Sequence, residues 1–100
     1  MSRVLIERRL FDVAQRLKRA REELSVIEEQ LTVLSEAADE ARIRSLVSET
    51  PLAHREYADA KRHADAMERS RKAVAADVAE LAATQDELLD RLVGNDPSAG

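Results

Sequence analysis

Ser45-Leu46-Val47-Ser48-Glu49-Thr50-Pro51-Leu52-Ala53-His54 decides the fold, because it holds the one strong interruption of an otherwise helical pattern. Pro51 disfavours a helical conformation at Thr50 and has no amide to give a continuing helix. The same residues restart the chain: Thr50 is a good N-cap, and proline suits the first helical position, where a missing N–H costs nothing. A stop and a start this close together predict a turn at about 48–51 between a helix over about 2–47 and a second over about 51–93.

Working outward, both flanks carry apolar residues alternately three and four apart, the spacing of a coiled-coil seam. On the N-terminal side the seam runs Ile6, Leu10, Val13, Leu17, Ala20, Leu24 and continues Ile27, Leu31, Leu34, Ala38, Ala41. On the C-terminal side it runs Ala53, Tyr57, Ala60, Ala64, Met67, Arg71 and continues Val74, Val78, Leu81, Gln85, Leu88, Leu92. Near the turn these residues are mostly alanine, which predicts a slim tip. Gly94 reads as a glycine C-cap, with a disordered tail over 95–100.

Charge gives the direction of the second helix. Residues 3–21 hold seven basic and two acidic side chains, whereas 77–90 hold five acidic and none basic. The next blocks reverse: 22–40 has seven acidic and no basic residues, and 61–72 has five basic against two acidic. Folding about residue 50 sets opposite charges side by side, and flanking charges choose orientation and register in coiled coils. Each exposed pair contributes only about 0–1 kcal/mol, so the pattern specifies topology more than it stabilises. The expected fold is all-α: a long two-helix antiparallel coiled-coil hairpin, with arms on the order of 65–70 Å at 1.5 Å per residue.

Composition agrees and narrows the function. Of 100 residues, 36% are charged and 44% hydrophobic, with one Phe, one Tyr and no Trp or Cys, a profile for thin helical seams rather than a globular interior. Without cysteine there is no disulfide, thiolate metal site or cysteine nucleophile. No run of apolar residues is long enough to span a membrane, and Glu7, Arg8 and Arg9 break the N-terminal apolar run before a signal segment forms, so the expectation is a cytoplasmic protein with no membrane partner. Thirteen of the sixteen basic residues are arginine, a bias expected of a bacterial chain.

Nothing in the sequence reads as a catalytic, cofactor or metal site. His54 and His63 lie nine residues apart on opposite sides of a helix, and His63 with Asp59 falls short of the three or four ligands a metal needs. Arg71 on the seam is expected to lay its stem along the groove and reach Glu28 and Glu29. The basic run with Arg16, Lys18, Arg19 and Arg21 is a candidate for phosphate contacts. A net charge of −4 and the lack of interleaved aromatics for base stacking disfavour nucleic acid.

More informative are apolar residues that the seam does not use. Leu5, Phe11, Val26, Val33, Leu46 and Val47 fall off it in the first helix, as do Val4 and Ile43; Leu89 and Val93 do so in the second. Such a stripe on a two-helix protein predicts a further helix packing there, from a protein partner or from a second copy in a four-helix arrangement.

The tip offers Glu49, Glu56 and Tyr57. Glu56-Tyr57-Ala58-Asp59-Ala60-Lys61 resembles the Glu-Tyr-x-x-Ala-Lys stretch that opens the second helix of the N-terminal hairpin in the bacterial Gre transcript-cleavage factors. The resemblance implies a hairpin whose tip enters RNA polymerase. In that family paired tip carboxylates help hold a catalytic Mg2+, and here the pair is reduced to Glu49. The sequence thus points first to a non-enzymatic coiled-coil interaction protein, structural or regulatory, then to a polymerase-binding regulator, and last to nucleic-acid binding through helix one.

Overall fold

The computed structural model describes residues 2–94, so the expected tail over 95–100 lies outside the described residues. Two long helices form the hairpin: α1, Arg3–Ser48, and α2, Pro51–Gly94. Among the described residues there is no strand. Each helix start is capped by a hydroxyl. Ser2 Oγ accepts from the Leu5 amide at 3.3 Å, and Thr50 Oγ1 accepts from the Ala53 amide at 3.1 Å, satisfying amides that have no partner within the helix.

Only Glu49 and Thr50 separate the helices. Glu49 takes a left-handed conformation, φ 50°, and its amide donates to the Ser45 carbonyl at 3.1 Å, a single-bond C-cap of α1. An L residue with a side chain adopts this conformation at a cost of about 1–2 kcal/mol, so Glu49→Gly is expected to raise the melting temperature, as read by circular dichroism. Gly94, which the sequence suggests as the left-handed cap of α2, is instead its last helical residue without positive φ. In this chain the left-handed position falls to a glutamate.

The described residues divide into two units, one formed by residues 2–23 with 74–94 and the other by 24–73. In the first, Ile6, Val13 and Leu88 are buried together, with Leu10, Leu81 and Leu92 packed against them. In the second, the buried side chains are Ile27 and, toward the turn, Ala38, Ala41, Ser45 and Ala53. Every seam residue predicted on either helix is buried or half-buried. Ser45 extends the same alternation by one position. Ser45 and Ala53 stand four residues either side of Glu49, and Ala41 and Tyr57 eight, so the seams mirror one another about the left-handed residue.

Candidate functional site

The helical period that buries one stripe leaves the opposite side of each helix in solvent. All eight named surface candidates, Leu5, Phe11, Val26, Val33, Leu46, Val47, Leu89 and Val93, are exposed, from 45% at Leu89 to 79% at Val47. Val4 and Ile43 join them, as does Leu52, 60% exposed. Leu52 was legible by the same counting, since it precedes the seam residue Ala53 and points off it. Eight of these eleven side chains belong to α1.

Each unit carries a hollow on its described surface. In the unit of residues 24–73, Glu29, Gln30, Val33, Leu34 and Met67 line one of about 510 Å³. In the other unit a groove of about 530 Å³ has Arg9, Arg16 and Arg19 on α1 and Asp77 and Glu80 on α2 among its walls. The basic run and the acidic segment thus share one groove. Yet the four ion pairs among the described residues are all within a single helix: Arg3 with Glu7, Asp59 with Arg62, Lys61 with Asp65, and Glu68 with Arg71. Among the described residues no ion pair joins the mirrored charge blocks across the two helices.

Arg71 departs from its expected partners. Its Nε donates to Glu68 Oε2 at 2.9 Å and its Nη2 to Glu68 Oε1 at 2.6 Å, and Glu28 acts on it only through its charge. A carboxylate three residues back on the same helix is always within reach, whereas one on the facing helix requires the guanidinium to cross the seam. The hydrogen bond from Arg71 holds the Glu68 carboxyl below the ordinary glutamate range and raises Arg71 in turn. For a carboxylate depressed on folding, the pair's stabilisation is present above the unfolded pKa, about 4.3, and is lost as pH falls through the lower folded value. Arg71→Leu is expected to flatten this acid limb of stability against pH, measured by urea melts between about pH 2.5 and 6.

At the tip, Glu49 and Glu56 are exposed, while Tyr57 is half-buried on the seam and belongs to the packing. Asp59 faces Arg62 rather than His63. Among the described residues no group of three or more His, Asp or Glu side chains is placed to hold a metal ion, and no helix is long and apolar enough to cross a membrane. No protein-family model matches the chain, and comparisons with curated proteins and with solved structures return no match.

Proposed function

We propose that this chain is a non-enzymatic coiled-coil interaction protein, structural or regulatory, whose working surface is the outward side of α1 and whose partner is a protein, either another chain or a second copy. The observation that carries this reading is the set of eight large apolar side chains of α1 left in solvent by a fold that already buries its seam. Apolar groups scattered singly need no explanation, but a stripe repeating along a helix is the surface a further helix covers.

The test compares wild type with the off-seam double variants Val26→Asp/Val33→Asp and Leu46→Asp/Val47→Asp. Helical content should be unchanged by circular dichroism, while crosslinked capture of a partner falls at least tenfold in both variants, or self-association in light scattering falls at least tenfold in Val26→Asp/Val33→Asp. A wild-type chain that is monomeric and retains the same proteins as both variants would end this reading.

A second reading, a regulator that inserts the tip into a narrow cleft such as that of RNA polymerase, is favoured by the small buried residues Ala38, Ala41, Ser45 and Ala53 beside the exposed Glu49. Binding and regulation that survive Glu49→Ala unchanged would remove it.

A further inference from the structure

We infer that α1 pairs along its outward side with α1 of a second copy of this chain, antiparallel about a twofold axis at Glu22, an inference that rests on the proposed interaction surface and names its occupant. With the seam taken as heptad positions a and d, seven of the eight exposed large apolar residues of α1 fall at b or c. The row between them, position f, reads Arg8, Gln15, Glu22, Glu29, Glu36 and ends on Ile43, the eighth of those apolar residues. It runs from basic to acidic along one helix, and a pattern that reverses sign end to end complements itself only when a second copy runs the other way.

Charge also selects the register. With the axis at Glu22, Arg8 of one copy meets Glu36 of the other, and Gln15 meets Glu29. Lys18 and Arg19 fall between Glu22 and Glu29 of the second copy, which offsets the meeting of the two Glu22 carboxylates on the axis. Phe11, 68% exposed, falls on Thr32 and Val33 of the second copy, and Val33 is one wall of the hollow that Leu34 and Met67 also line.

Sliding the second copy by one heptad spoils the match either way. One shift sets Glu22 against Glu29 and Asp12 against Asp39, each twice. The other sets the Lys18 and Arg19 pairs against each other at the axis. Like charges directly opposed disfavour a register as strongly as opposite ones favour it. None of Arg8, Lys18, Arg19, Glu22, Glu29 and Glu36 takes part in an ion pair among the described residues, so each is available to a second helix.

The chain has no cysteine, which makes the geometry directly readable. Glu22→Cys should give a disulfide-linked dimer under mild oxidation, whereas Gln15→Cys and Glu29→Cys separately should not, because only residue 22 meets its own copy. In sedimentation analysis of the full chain, Arg8→Glu should raise the dimer dissociation constant about tenfold, and Arg8→Glu/Glu36→Arg should restore it to within about threefold. Disulfides at all three positions would reveal a parallel pair and overturn the inference, as would preferential linkage at residue 15 or 29. A monomer at every concentration would overturn it too. In that case the capture experiment with the Val26 and Val33 variants still decides the broader interaction reading, so the two fail separately.

Discussion

Leu88→Ala is expected to lower the unfolding free energy by about 3 kcal/mol, because it removes a fully buried side chain from a seam with few alternatives. Leu88 is 1% exposed and is buried together with Ile6, at 0%, and Val13. Truncation deletes the contacts of three carbons and leaves a space that Leu81, Leu92 and Leu10 can only partly fill. In a globular protein a second layer of side chains would share the adjustment. Here the other side of each helix is solvent.

The size of the effect matters because a domain of this length has only about 5–15 kcal/mol of stability in total. The control is the adjacent Leu89, 45% exposed, where the same truncation should cost less than about 0.5 kcal/mol. Urea melts at one protein concentration decide it: the Leu88→Ala midpoint should fall by roughly 1–2 M with unchanged slope, and that of Leu89→Ala should barely move. Equal shifts would mean that the heptad phase assigned to α2 is wrong.

That phase was readable in the sequence for a physical reason. Burial in a two-helix protein depends on one angle, and the angle follows from residue spacing alone, so Ile6 through Ala41 and Ala53 through Leu92 could be counted off. Exposure of Phe11, Val33 and Val47 came from the same counting, being its complement. Ser45 carries no such signal because its side chain is polar, while its burial is imposed by position and tolerated because serine is small.

Side-chain partners were less legible. Arg71 bonds Glu68 rather than reaching across to Glu28 and Glu29, since pairing depends on rotamers and on which carboxylate is already alongside. The left-handed Glu49 was hidden for a related reason. A two-residue connection imposes that backbone whatever residue occupies it, and glutamate gives no sign of tolerating it. What meets the outward side of α1 depends on a second surface, and only the reversal of charge along α1 itself narrows the choice.

The tip should respond to the opposite change, an addition. Ala41, 2% exposed, stands eight residues before Glu49, and Tyr57 eight residues after, so the mirrored seams place them in one layer. A tyrosine in that layer leaves room for a methyl group opposite and little more. Ala41→Leu is therefore expected to destabilise by about 2 kcal/mol through overpacking. The two-residue connection holds the helices together eight residues further on, so they cannot splay to make space. The strain should instead reach the turn, where the Ala53 amide held by Thr50 Oγ1 would lose protection from hydrogen exchange. Tyr57→Ala alone should also destabilise, by leaving a cavity. Combined with Ala41→Leu it should recover about 1 kcal/mol or more relative to the sum of the single changes, a coupling that residues outside one layer do not show. Strict additivity would mean that Ala41 and Tyr57 are not neighbours and that the seams are not in mirror register about Glu49.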